Sequence, residues 1–249
     1  MRRLLFPLLL AASAAACAPQ PPRQAGPLPP LGPCPASTWH PEAPPPTASK
    51  KTSMVLLAVA EWFRFGQQTV DYPSNGAPQV ERSGMQEGDA FASERVRDYW
   101  KSVGRPNLSG ANHEVPWSAA FISWDIESAG VPRDQFCPDD RHTIYVERMV
   151  QRAREPDPAF IPRRLNERAP QVGDLICSSR AGGKTTLDNL DRGPGHCDIV
   201  VEVRARELIA IGGNVDDSVT RSVFPLDANG FLSPISARPF FTVIENRLP

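Results

Sequence analysis

The chain has 249 residues, with 27 Lys and Arg against 28 Asp and Glu and a net charge of −1. That balance, with no basic patch and no interleaving of aromatic and basic residues, speaks against nucleic acid as a partner. Beyond the N-terminus no apolar run approaches the ~20 residues that a membrane-spanning helix needs.

The N-terminus reads as an export signal. Arg2 and Arg3 precede an apolar run from Leu4 to Ala16, which is too short to span a bilayer. Residues 1–16 are therefore expected to be a signal peptide. The small residues before Cys17 are similar to the lipobox of bacterial lipoproteins, in which the cysteine is acylated. Ala14-Ala15-Ala16 also reads as an ordinary A-x-A cleavage site. We take Cys17 as the lipidated residue, and Ala18 after it resembles lipoproteins sorted to the outer membrane. The expected location is exported and periplasmic, held to the membrane by an N-terminal lipid.

Residues 17–50 form the next unit. Twelve of the 33 residues from Ala18 to Lys50 are proline, with no apolar periodicity among them. Such a segment tends to extended polyproline II, and at ~3.1 Å per residue it reaches roughly 100 Å. Residues 51–249 are long enough for one domain.

In that domain the first half reads helical. Apolar residues at Val55, Leu56, Val59, Trp62 and Phe63 predict a helix over 53–70. Residues 71–88 are rich in turn formers and predict a loop. A second helix is expected over 89–103 and a third from Pro116, a residue suited to the first helical turn, to Gly130. Residues 141–154 predict a fourth, on which His142 and Tyr145 share a face. The second half reads as strands at 173–178, 197–203, 208–211, 219–223 and 240–244. Helices first and strands afterwards indicate an α+β domain, its helices packed on a mainly antiparallel sheet of about five strands.

Four cysteines besides Cys17 allow three pairings. An exported chain meets an oxidising compartment. Cys177 and Cys197 fall on two candidate neighbouring strands, which favours that pair and leaves Cys34 to Cys137. The usual metal-ligand spacings are absent, so neither a metal nor another cofactor is expected.

Three segments stand out in order: EVPWSAAFISW at a helix start, GDLICSS followed by HCDIVVEV, and IGGNV. Their combination resembles the CHAP amidases and the NlpC-type peptidases, which are papain-like folds. More closely, NLSGANHEVPWSAAFISW with HCDIVVEV is similar to an uncharacterised bacterial family of unknown function related to those hydrolases. The resemblance implies a papain-like domain with the nucleophile at a helix start, Ser118 standing where those families carry cysteine. It implies His196 as the histidine and Asn214 as the residue that orients it. From spacing alone, Asn112 is a candidate oxyanion donor. Trp117 and His142 are candidates for lining the substrate cleft.

Serine changes the chemistry. A thiol titrates near 8.5 and a helix N-terminus supplies only ~0.3–2 kcal/mol, too little to ionise a hydroxyl. Ser118 therefore needs a true general base. Each residue also has a plainer reading: Ser118 as a first-turn residue, His196 as a core histidine, Asn214 as a turn residue. The expectation is an envelope hydrolase of peptide or amide bonds, with peptidoglycan or a wall peptide as its partner. The alternative is a silent module that binds the same material or a partner protein.

Overall fold

A computed structural model describes residues 30–35, 39, 48–180, 182 and 184–249. The expected signal peptide, Cys17 and most of the linker lie outside the described residues. Residues 31–249 cluster as one compact unit. Thus 31–35, counted above as linker, belong with the domain.

Helix α1 (Lys50–Arg64) opens where the Ser49 hydroxyl accepts from the Thr52 N–H at 3.2 Å. It stops earlier than its apolar stripe predicts. Gly66 and Gln67 take positive φ values, and the chain continues as strand β1 (Gln68–Asp71). The segment expected to loop out contains β2 (Gln79–Arg82), an edge strand whose four residues are all exposed. Helices α2 (Ala90–Ser102), α3 (Ser118–Ser128) and α4 (His142–Arg152) follow close to the predicted positions. Every residue of α3 is buried.

The remaining strands are β3 (Phe160–Arg163), β4 (Leu175–Ser179), β5 (Gly195–Val203), β6 (Glu207–Val215), β7 (Ser218–Pro225) and β8 (Phe240–Asn246). They complete an eight-stranded sheet in the order β2-β1-β7-β6-β5-β4-β8-β3. All neighbours run antiparallel except β1 with β7. The class is α+β as expected, but the described residues hold eight strands, not about five. The three additional strands are four residues each, and β3 carries Pro162 at the sheet edge, where a missing N–H is tolerated.

The sheet divides two apolar clusters. One contains Met54, Val96, Tyr99, Phe121 and Tyr145 from the helices together with Cys197, Ile199 and Ile211. The other contains Val70, Val200, Ala210 and Phe224, closed by Leu226, Leu232 and Ile235 from the segment between β7 and β8. Alternation along β5 therefore sends Cys197 and Ile199 to the helix side and His196, Asp198 and Val200 to the other. Cys177 and Cys197 face each other in register and are bonded, and Cys34 is bonded to Cys137. No helix among the described residues is long and apolar enough to cross a membrane.

Candidate functional site

Ser118 and His142 are the first residues of α3 and α4, and these two helix starts meet. Ser118 Oγ lies 2.7 Å from His142 Nε2. On the other side of the ring, Nδ1 is hydrogen-bonded to the Tyr145 hydroxyl, one helical turn on. The pair lines a cleft of about 650 Å³, whose wall includes Trp100, Val115, Pro116 and Ala119 on one side and Arg180, Pro194 and Gly195 on the other. No side chain caps the start of α3, and its first residues, Ser118 and Ala119, are part of the cleft wall, so the positive end of the helix lies at this space.

Burial, with His196 and Arg180 adding to it, holds His142 well below the usual histidine range. The ring is neutral at pH 7, which a proton acceptor requires. His142 was expected only to line the cleft; it is in fact the partner of Ser118.

His196 is placed differently from the expectation. Its ring centroid is 5.4 Å from that of His142, but it does not line the cleft and is fully buried. Nε2 lies 2.9 Å from Asp198 Oδ1, and Nδ1 lies 2.7 Å from Arg180 Nη2. A guanidinium only donates and a carboxylate only accepts, so Nδ1 accepts and Nε2 donates. Both nitrogens are committed, and none is left for Ser118. The physical reason is strand parity: His196 shares the face of Asp198, away from α3. Burial pushes His196 down to about 3 even though Asp198 opposes the shift. Burial also opposes ionisation of Asp198, but His196 and Arg238 outweigh it and hold its carboxyl below the usual carboxylate range.

The other expected residues serve different ends. Asn214 does not orient His196; its amide donates to Glu87 Oε2 at 3.1 Å, and only its carbonyl reaches the cluster, accepting from Arg180 at 3.3 Å. Asn112 is exposed and accepts from the Ser109 N–H at 2.9 Å, so its side chain closes its own turn rather than facing an oxyanion. Trp117 is a core residue and not a cleft wall. Its indole donates to the buried Glu87 at 2.5 Å and stacks on Tyr99, with ring centroids 5.6 Å apart.

Sequence reasoning missed Tyr145 as a hydrogen-bond partner, Asp198 as the partner of His196, and Glu87 and Arg180 altogether. Asp198 carried a visible signal, since two residues along a strand return to the same face. A feature that was legible, the paired glycine of IGGNV, now has a cause. A Cβ on Gly212 would stand 2.0 Å from Asp198 Oδ1, and one on Gly213 would stand 2.5 Å from the Trp117 ring. Among the described residues no cluster of His, Cys, Asp and Glu is arranged to hold a metal ion.

The geometry thus defines an α+β protein with a serine–histidine pair at the meeting of two helix starts. Residues 58–242 match the family described as "Uncharacterized protein conserved in bacteria (DUF2272)", and the chain belongs to that family. Neither the curated proteins nor the solved structures contain a match to it.

Proposed function

We propose that this protein is an envelope hydrolase of peptide or amide bonds, with peptidoglycan as substrate, in which Ser118 is the nucleophile and His142 its base. The observation that carries the reading is the 2.7 Å contact between Ser118 Oγ and a neutral His142 Nε2 inside an open cleft. In the first step Oγ attacks the carbonyl carbon and its proton passes to Nε2. The oxyanion is met by N–H groups at the head of α3. Collapse breaks the C–N bond, and the leaving amine takes the proton from Nε2. A water then attacks the acyl-serine, losing its proton to Nε2, and as the C–O bond to Ser118 breaks Nε2 returns that proton to Oγ. Asp198, set behind His196, favours the transient imidazolium.

The papain-like assignment now rests on a nucleophile at a helix start followed by antiparallel strands, and no longer on His196. Export and an anchor at Cys17 belong to the same proposal. The two disulfides support it, since they suit an oxidising compartment.

A second reading, a binding module without turnover, is favoured by one detail. The buried Tyr145 hydroxyl has no hydrogen-bond partner besides His142 Nδ1 among the described residues. Donating to Nδ1 satisfies that O–H best and leaves the proton of the neutral ring on Nε2, facing Ser118.

Incubating peptidoglycan with the full chain, Ser118→Ala and Ser118→Cys separates the readings. Release of muropeptides by the parent, lost in the alanine variant, is the expected result. Retention of peptidoglycan by a parent that releases nothing favours the binding module. Release by the cysteine variant alone marks a cleft that has lost its nucleophile.

A further inference from the structure

Arg180 follows β4 and stands in a wall shared by two cavities. One is the Ser118 cleft. The other, of about 590 Å³, is lined by Tyr72, Asn214, Asp216 and Arg238 among others. Nη2 of Arg180 is occupied by His196 and by the Asn214 carbonyl. Its Nε and Nη1 have no hydrogen-bond partner among the described residues, and the side chain forms no ion pair there. The next cation, Arg238, is buried and already lies 3.6 Å from Asp198. Two guanidiniums share one buried carboxylate; the exposed Asp216, in the wall of the second cavity, acts on both, but Arg180 forms no direct ion pair with it. A half-buried cation in that state is costly unless an anion meets it.

The other cations of the cleft are not left without a carboxylate in that way. Arg105 is paired with Asp140, and Arg192 with Glu147 at 2.7 Å. Arg141 is 61% exposed and shielded by water. The charge left for a ligand is concentrated at Arg180, beside the positive ends of α3 and α4.

We propose that Arg180 anchors a carboxylate of the peptide held in the Ser118 cleft, so that the protein selects acidic peptides. This rests on the hydrolase or binding reading of that cleft and names the chemistry of what it takes. A carboxylate accepts charge-assisted hydrogen bonds from the N–H groups that Arg180 still offers. The apolar stretch of wall formed by Trp100, Val115, Pro116, Ala119 and Pro194 suits the rest of a peptide rather than a sugar phosphate.

The test is calorimetric titration of the full chain carrying Ser118→Ala, which cannot turn the ligand over. The probe is the peptide L-Ala-γ-D-Glu-L-Lys-D-Ala, as the free acid and with both carboxyls amidated. The free acid is expected to bind about tenfold tighter or more, as a hydrogen bond to a charged group provides. Adding Arg180→Gln should erase that preference, Arg180→Lys should keep part of it, and Arg141→Gln should leave it intact. Equal affinity for the two forms, no binding of either, or a preference that survives Arg180→Gln overturns the proposal. If Arg180→Gln does not fold, the comparison of free acid with amide in Arg180→Lys and Arg141→Gln still decides. Muropeptide release by the parent without a carboxylate preference sinks the anchor and leaves the hydrolase. A carboxylate preference without release does the reverse.

Discussion

Ser118 Oγ and His142 Nε2 lie 2.7 Å apart although 24 residues separate them in sequence, because two helices begin at the same point in space. The base of the proposed reaction is thus His142 and not His196. His142→Ala is expected to lower turnover of peptidoglycan by about 10²–10⁴-fold, and Ser118→Ala to abolish it. His196→Asn is expected to lower the melting temperature while the folded fraction keeps most of its activity. If His196→Asn removes activity from a chain that melts normally while His142→Ala retains it, the assignment is reversed.

The two buried imidazoles make stability depend on pH. Both are held neutral when folded, His142 well below the usual range and His196 down to about 3, with burial the largest cause for each. Unfolded, they titrate near 6.5. Below that value the unfolded chain binds protons that the folded chain refuses, so the stability present above pH 6.5 is lost as pH falls towards the folded values. Each ring contributes ~1.4 kcal/mol per pH unit in that window. In a chain carrying Asp125→Asn, which removes a buried carboxyl of opposite pH dependence, urea unfolding is expected to show a loss of about 2–3 kcal/mol between pH 7.5 and 5.5. A flat profile of that variant over that range would mean that neither ring is buried neutral.

Asp125 acts in the opposite sense. It is fully buried on α3, neither carboxyl oxygen has a hydrogen-bond partner among the described residues, and burial raises its pKa well above the ordinary value. Its folded form keeps the proton, so the chain loses stability as pH rises from ~4 through the folded value. Asp125→Asn is expected to flatten the alkaline side of the thermal-melting profile, seen as a gain in melting temperature that grows from pH 5 to pH 9. A variant that melts in parallel with the parent at every pH contradicts this.

Gly212 couples the sheet to the cluster behind His142. A side chain there would meet Asp198 at 2.0 Å and His196 at 2.9 Å, both buried. Gly212→Ala should therefore displace the His196–Asp198 pair, at a cost of about 1–3 kcal/mol for overpacking. The histidine ring signals in NMR are expected to shift for His196 and His142 and to stay put for His113, which pairs with Glu87 instead. Unchanged His196 resonances would show that the space is larger than the geometry gives.

The two disulfides should differ in reactivity. Cys177–Cys197 is fully buried, whereas Cys34 is only half-buried. Mild reductant at neutral pH, followed by alkylation and peptide mass spectrometry, is expected to label Cys34 and Cys137 first. The bond between them closes a loop of 103 residues, against 20 for the buried pair. In the chain-entropy view its loss costs ~4–5 kcal/mol. Labelling of Cys177 ahead of Cys34 would contradict this order.

Much of the architecture was legible because long apolar stripes and turn residues leave local marks. All four helices, the five longer strands and the α+β order could be read from such patterns. The short strands β1, β2 and β3 could not. The first is masked by a helical stripe that runs into it, the second buries nothing, and the third contains proline. At the site, Ser118 was legible from the helix start. Its partner was not, because contact between His142 and Ser118 depends on how α3 and α4 pack, which no local pattern records. Parity along HCDIVVEV could have warned that His196 faces away from Cys197 and hence from the helices. Arg180 leaves no sequence mark, since a lone arginine after an apolar strand is common.

The bond between Cys34 and Cys137 also resets the tether. A lipid at Cys17 would hold the globule not by the whole proline-rich stretch but by the 17 residues up to Cys34, where the chain is stapled to the body. At ~3.1 Å per residue that leash measures roughly 50 Å, half of what the unbonded segment allows. Reduction would lengthen it, so in a chain anchored as proposed the redox state of one cysteine pair would set how far from the membrane the protein can work.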